Sequence, residues 1–266
     1  MLSIVSSPTS VQRHRVSKSV SETDLIASGY DAVAGVYDSQ LAPAHWIREQ
    51  VWERMDLLFP RGARVLDVTA GTGLDTLHLV ERGVQVVACD ISSAMLAQLH
   101  LKNSNIETCI ADFNKLDLSR EFDGVISTFA GLNTSRDLRP FAKNAARLLR
   151  PGGILFVHLL NRWPFLDIAR DFISLRWSNF WRAIVSTRRE VSIGDVLIPH
   201  YLYSPLSLYR RVFAMYFRLN RIDGQGIFRP VYGNWGKRLA WPEMKLASKF
   251  PFHSSGVFFS VEMIRV

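Results

Sequence analysis

One stretch constrains this chain more than any other: an apolar run that stops at an acid and turns through small residues into a helical pattern. Arg64-Val65-Leu66-Asp67-Val68 reads as a short buried strand, Thr69-Ala70-Gly71-Thr72-Gly73 as a tight turn, and Leu74–Arg82 as a helix. Small residues in such a turn let the backbone approach a ligand closely, and the helix N-terminus offers free N–H groups to a negative group. The pattern then repeats. Gly83 closes the helix, Val84–Cys89 is a second strand, and Ser92–Leu101 is a helix with Ser92 placed to cap it. Ile106–Ala111 and Phe122–Thr128 are the third and fourth strands; a helix over Leu138–Leu149 is stopped by Arg150-Pro151-Gly152-Gly153, and Ile154–Leu160 is the fifth strand. Near-continuous apolar strands alternating with helices require a parallel sheet covered on both faces. The expected fold is α/β and doubly wound, with ligands beyond the carboxyl ends of the strands.

The flanks differ. Residues 1–25 read as a flexible, Ser-rich, basic tail, with an organelle transit peptide as the alternative. Leu25 to Phe59 carries helical spacings in two helices separated by Pro43. After Leu160 the alternation ends. A helix is expected over Trp163–Trp177, loop or irregular strand over Val191–Tyr203, a helix over Ser207–Phe217, strands over Phe217–Ile222 and Ile227–Val231, and a last strand over Val257–Val266. The expected division is residues 1–25 as tail, 26–161 as cofactor-binding core, and 162–266 as an aromatic-rich helical cap plus the last strands of the sheet.

Three further residues sharpen the turn. Asp90 ends the second strand, about 20 residues beyond the first, where an acid can accept from both hydroxyls of a ribose. Asp112-Phe113 follows the third strand, an acid for an adenine amino group beside a ring or backbone amide for the base. With Tyr30-Asp31, Tyr37-Asp38, Phe122-Asp123-Gly124-Val125 and Leu148-Leu149-Arg150-Pro151-Gly152-Gly153, the chain from Tyr30 to Val266 resembles class I S-adenosylmethionine-dependent methyltransferases, which have a mostly parallel, seven-stranded, Rossmann-like sheet. It departs from them at Thr69, where the loop commonly has the first of its glycines. A dinucleotide fold, the competing reading, wants a third Gly where Thr76 stands.

The resemblance implies S-adenosylmethionine as cofactor and assigns roles. Ala70, Gly71 and Gly73 line its methionine part, Asp90 takes the ribose, and Ile91 and Met95 pack on the adenine side. Asp112 and Phe113 hold the adenine amino group and ring. Thr128, with Phe129 and Ala130 beside it, lies near the sulfonium, Tyr30 and Tyr37 close over the cofactor, and Asp67 orients the loop from below. A general base is needed only if the acceptor arrives protonated. His158, facing the cleft or packed under it, and His200 in the cap are candidates, and Asn133 is placed to touch the acceptor, as is Asn161.

Composition bears on the acceptor. Residues 162–266 carry 16 basic against 7 acidic side chains and 20 of the 30 aromatics, while the preceding residues are nearly neutral. Trp163, Phe165, Trp177, Trp181, Tyr201, Tyr203, Tyr209, Phe213, Phe228, Tyr232 and Trp235 could line an aromatic pocket, and Arg188-Arg189 or Arg210-Arg211 could meet an anionic group. The expected function is methyl transfer to an O, N or C atom of a small aromatic or acidic metabolite, in secondary or cofactor metabolism. The alternatives are a methyltransferase acting on RNA or on a membrane-associated lipid or quinone, and a non-catalytic cofactor-binding protein. The expected partner is a small-molecule methyl acceptor and not nucleic acid, with peripheral contact to a membrane left open. Two cysteines, Cys89 and Cys109, read as buried small residues, the scattered histidines give no metal constellation, and no uncharged stretch reaches the ~18 residues of a membrane span. A cytoplasmic location is expected.

Overall fold

The computed structural model describes residues 21–42, 45–193, 196–228, 239 and 241–266. Three helices precede the sheet: α1 (Glu22–Val33), α2 (Tyr37–Leu41) and α3 (His45–Leu58). The tail expected over residues 1–25 therefore gives way sooner than predicted. Ser21 caps α1 by accepting from the Asp24 amide, and Asp24 returns the bond to the Ser21 amide, a capping box that fixes the helix start. Residues 1–20 and Pro43 lie outside the described residues.

The alternating section folds as its periodicity predicts: β1 (Arg64–Asp67), α4 (Leu74–Glu81), β2 (Gln85–Asp90), α5 (Ser93–Lys102), β3 (Glu107–Ile110), β4 (Phe122–Ser127), α6 (Arg139–Leu148) and β5 (Leu149–Leu160). One difference is local. Arg150-Pro151-Gly152-Gly153 ends α6 but is drawn into β5, whose register against β4 jumps from Phe122↔Leu149 to Gly124↔Ile154. The turn residues are accommodated as a bulge, with Gly152 at a φ of 76°.

The later section departs more. Two helices, α7 (Phe165–Ile173) and α8 (Trp177–Val185), stand where one was expected, broken at Leu175 with a φ of 55°. Val191–Tyr203 is regular: β6 (Arg188–Ile193) and β7 (Val196–Tyr201) form a separate antiparallel pair, so the cap is only partly helical. The helix expected over Ser207–Phe217 is a short α9 (Pro205–Leu208) followed by a π-helical turn, Tyr209–Phe213. β8 (Phe217–Gln225) runs straight through the expected Asp223-Gly224 turn, because Asp223 pairs with Ser260 and Gln225 donates to the Ser260 hydroxyl at 2.8 Å. Ile227 and Phe228 lie beyond it, outside any strand, and residues 229–231 lie outside the described ones. β9 (Phe258–Arg265) ends the sheet.

The strand order is β3-β2-β1-β4-β5-β9-β8. β1 pairs in parallel with both β2 and β4, and the chain reverses its direction of travel across the sheet between β1 and β4. That switch point opens a crevice at the carboxyl ends of the strands. α3 covers one face, with Val51, Met55 and Phe59 on Val65, Val86, Ile126 and Phe156. α6 covers the other, with Phe141, Ala142 and Ala145 on Val125, Leu155 and Val157. Cys89 and Cys109 face each other in register on β2 and β3 as free thiols; Cys89 is buried, but Cys109 is only half-buried.

Gly73 is the N-cap of α4 at a φ of 83°, and a Cβ there would overlap the Leu99 side chain. Gly73→Ala is expected to cost roughly 2–4 kcal/mol, combining left-handed strain with overpacking. Urea denaturation of the variant checks this; a loss below 1 kcal/mol would mean that α5 yields.

Candidate active site

The loops after β1 and β4 and the helices α1 and α2 surround a cleft of about 490 Å³, including its open mouth. Tyr30, Tyr37, Gly71, Asp90, Ile91, Met95, Phe113, Thr128 and Phe129 line it. Ala70, Gly73 and Asp112 are not in the lining. Ala70 is buried with Leu96 and Leu99, donating its amide to the Cys89 carbonyl at 3.0 Å. Asp112 caps the turn that presents Phe113, accepting from the Asn114 amide at 2.9 Å.

Asp90 organises the loop. One carboxylate oxygen accepts from the Gly71 amide at 2.8 Å and the other from the Ser92 amide at 2.9 Å, while burial pushes its carboxyl above the usual range. Gly71 holds a φ of 55°, and a Cβ there would meet no protein atom within 4 Å, so the space beside this backbone is open to the cleft.

The two Tyr-Asp pairs divide their work. Tyr30 and Tyr37 meet edge to face, with centroids 6.2 Å apart, over the cleft. Asp31 accepts from the Ser92 hydroxyl at 2.5 Å and the Ala94 amide at 3.1 Å, latching α1 onto the start of α5. Asp38 accepts from the Thr72 hydroxyl at 2.5 Å and pairs with Lys102 at 2.6 Å, latching α2 onto the loop.

Beneath the cleft is a buried polar cluster. Arg48 of α3 pairs with Asp75 of α4 at 2.5 Å, and Asp75 also accepts from Trp52 at 2.6 Å and Thr128 at 2.5 Å. Burial raises the Asp75 carboxyl, but the Arg48 charge and these bonds outweigh it and hold the group below its ordinary value. The Arg48 guanidinium lies 3.8 Å from the centre of the Phe129 ring. Phe129 and Ala130 both have left-handed φ, 48° and 67°, and His158 pins them: its Nδ1 accepts from the Phe129 amide at 3.2 Å and its carbonyl from the Ala130 amide at 3.1 Å. His158 is wholly buried under this turn, stacked on Phe258, and burial pulls it down to about 3.

The other three acceptor-side candidates sit differently. Asn133 is fully buried; its oxygen accepts from the Leu160 amide at 3.0 Å and its nitrogen donates to the Leu160 carbonyl at 3.3 Å and the Tyr201 carbonyl at 2.6 Å. Its amide ties β5 to β7 and is committed to that task. Asn161 is bound likewise to the Ser254 and Gly256 carbonyls, both at 2.8 Å. His200 is buried on β7, and its Nδ1 lies 3.0 Å from the Ile198 carbonyl, so that nitrogen carries the proton. Its Nε2 is then left to accept from the Tyr30 hydroxyl at 3.5 Å. Burial lowers His200 and raises Tyr30 well above the ordinary phenol, so both are neutral near pH 7.

Residues 65–153 match the profile of a methyltransferase domain. Over these residues the chain carries a methyltransferase domain. A demethylmenaquinone methyltransferase of Corynebacterium efficiens is 35% identical over 138 residues, covering 50% of this chain and 58% of that relative. A ubiquinone biosynthesis O-methyltransferase of Xanthomonas oryzae is 35% identical over 121 residues, covering 44% and 49%. The chain thus aligns with about half the length of these curated relatives. Among solved structures, the CcbJ methyltransferase of Streptomyces caelestis superposes with a TM-score of 0.63 at 17% identity, over 90% of this chain and 98% of that one. A DhpI–SAH complex does so at 0.61 and 19%, over 91% and 95%. These two likenesses concern the fold.

The methyltransferase loop's departure at Thr69 has a local answer. The Thr69 hydroxyl is 2.7 Å from that of Ser127, and its side chain occupies the space a Cβ on Gly131 would need. The small residue has moved from one side of the crevice to the other. Sequence reasoning passed over the Arg48–Asp75 pair, although a signal exists: Arg48 stands on the same helical stripe as Val51, Trp52 and Met55. Among the described residues, none of the cap aromatics lines the cleft. Phe213 is in the main core with Tyr203 and Tyr209 against it, Trp163, Phe165, Trp177 and Trp181 are exposed, and Tyr232 and Trp235 lie outside the described residues.

Asp67, fully buried, accepts from Thr76 at 2.8 Å and from the Thr69 amide at 3.3 Å. Burial, helped by the Asp75 charge, pushes it up to about 7. The folded state then keeps a proton that the unfolded chain releases, so this group's contribution lowers stability as pH rises from about 4 to about 7. Asp67→Asn is expected to remove that decline. Urea midpoints of both proteins across this range test it, and parallel curves would show that Asp67 is ionised throughout.

Proposed function

We propose that the chain transfers the methyl group of S-adenosylmethionine to a small aromatic acceptor, a quinol-like ring among the candidates. The observation that carries the reading is the joint geometry of Asp90, Gly71 and the two tyrosines at the switch point. Asp90 would accept from the ribose hydroxyls in place of its present backbone donors, with Ile91, Met95 and Phe113 around the adenine and Asp112 near its amino group. Gly71, at the left-handed turn, together with Thr128, would border the methionine part. The names of the quinone-pathway relatives support the aromatic acceptor, as does the apolar lining given by Ile26, Met95, Phe113 and Phe129.

Bound S-adenosylmethionine supplies a methyl group already activated on a sulfonium, so the protein's task is alignment and exclusion of water. Tyr30 and Tyr37 cover the cleft, held down through Asp31 and Asp38. Where the acceptor brings a proton, the Tyr30 hydroxyl can take it while passing its own to His200 Nε2. His158 does not suit that role: with a value near 3 and a ring packed between Phe129 and Phe258, it supports the turn. Titration calorimetry with S-adenosylhomocysteine tests the cofactor, and methyl transfer to a set of naphthols and hydroquinones tests the acceptor class. Absence of binding by the full chain would refute the proposal.

A further inference from the structure

The pair α7–α8 is amphipathic in the wrong sense for a helix packed on a core. Phe165, Ile168, Ala169 and Phe172 form one stripe of α7, and Trp177, Phe180, Trp181 and Ile184 one stripe of α8. The single buried residue of α7 is its acid Asp171, and α8 buries none. Asp171 pairs with the exposed Arg170 at 3.4 Å and Arg176 at 3.9 Å. The apolar side faces out: Phe165 is 63% exposed, Ile173 77%, Leu175 68%, Trp181 59% and Val185 70%. The rings pack on one another, with Phe172 and Trp177 at 5.4 Å, Phe172 and Phe180 at 5.3 Å, and Phe180 and Trp181 at 5.3 Å. Helices of nine residues are marginal in water, so a pair this short and this exposed points to an external apolar surface.

The charge beside these rings identifies the occupant. Residues 162–189 hold six arginines and two aspartates. Asp167 is paired with Arg170 at 3.0 Å and Asp171 is buried, while Arg176, Arg182 and Arg188 are exposed along the edge of the aromatic patch. We propose that α7–α8 is a docking element for an anionic phospholipid bilayer, lying in the interface with its Trp, Phe and Ile side chains among the acyl carbons and its arginines on the phosphates. Tryptophan and arginine flanking an apolar stripe are the composition such interfacial helices use. A second copy of the chain is disfavoured as occupant, since two such faces would bring their arginines together. Among the described residues no helix is long and apolar enough to cross a membrane, so docking would be at the surface.

The placement ties this surface to the cleft. α7 begins just after Asn161, at the end of β5, with the Phe165 amide bonded to the Ser255 carbonyl at 3.1 Å. α8 leads directly into the β6–β7 pair, which packs on α1: Val196 and Ile198 lie against Gly29, and His200 meets Tyr30. A lipid-held α7–α8 would present the roof of the cleft to the bilayer from which an apolar acceptor arrives.

The test is co-sedimentation of the full chain with vesicles of phosphatidylcholine alone and of phosphatidylcholine with 30% phosphatidylglycerol. Binding is expected to be at least tenfold stronger to the anionic vesicles and to fall steeply with salt. Trp177→Ser/Trp181→Ser and Arg176→Glu/Arg182→Glu are each expected to lose at least tenfold of it. Affinity for S-adenosylhomocysteine, measured without lipid, should be unchanged, which separates this surface from the cleft and confirms folding. Lack of binding to anionic vesicles, equal binding by the variants, or a concentration-dependent dimer abolished by Trp177→Ser/Trp181→Ser would overturn the proposal. Vesicle binding is read without turnover, so its failure leaves the methyl-transfer reading standing, and the reverse holds.

Discussion

Arg48→Met is expected to destabilise the protein by about 3–5 kcal/mol, because it leaves the Asp75 carboxylate buried without its counter-charge. Total stability for a domain of this kind is on the order of 5–15 kcal/mol, so the loss is a large fraction of the whole. Methionine keeps most of the side-chain length, which confines the change to charge and hydrogen bonding. Asp75 would still accept from Trp52 and Thr128, two bonds that cannot offset a lost guanidinium. The double variant Arg48→Met/Asp75→Asn should recover part of the deficit, since no unpaired ion remains. Urea unfolding of the three proteins, read as a double-mutant cycle, gives the coupling. A single-variant loss under 1 kcal/mol would mean that water reaches Asp75 and that the cluster is not a closed unit. The consequence extends to the site, because the same cluster holds Thr128 and supports Phe129 from below.

Asp90→Asn is expected to separate binding from folding. Burial raises the Asp90 carboxyl, so its charge at neutral pH works against the fold even while it accepts from Gly71 and Ser92. A neutral amide relieves that cost and retains one acceptor, so thermal stability should hold or rise. Affinity for S-adenosylhomocysteine should fall. If the ribose contributes two charge-assisted bonds, each worth ~1.5–3 kcal/mol, Asp90→Ala loses about 3 kcal/mol or more, roughly a hundredfold in Kd, with Asp90→Asn between it and the parent. Calorimetric titration beside thermal unfolding reads both quantities. Unchanged affinity in Asp90→Ala with the fold intact would remove Asp90 from the ribose role. The reverse pattern, lower stability with the same affinity, would make it only a clasp for the Gly71 loop.

Much of this arrangement is legible in the sequence. The five strands from Val65 to Leu160 were readable because a strand buried on both faces has nearly every residue apolar, and Gly83, Ser92 and Pro151 mark the joints chemically. Asp90 stood out because an acid at the end of such a strand has no business in the core. Beyond Leu160 these signals weaken. The β6–β7 pair is covered on one side and short, so Val191–Tyr203 carried no clean alternation. Tyr209 to Phe213 showed helical spacing, but helical spacing does not separate an α-helix from a π-turn that realigns the chain for β8.

The sequence by itself determined the five parallel strands, the small-residue turn and the acids at their ends, because each depends on neighbours within one βαβ unit. The tertiary structure decided what depends on distant residues meeting. It set Arg48 against Asp75, let Thr69 take the space that Gly131 leaves, placed His158 under Phe129, and joined Tyr30 to His200. It also decided the direction of the aromatics. A stripe of Phe and Trp at helical spacing has the same pattern whether it faces a core or the outside. Only the packing of Asp171 inward and Trp181 outward distinguishes the two.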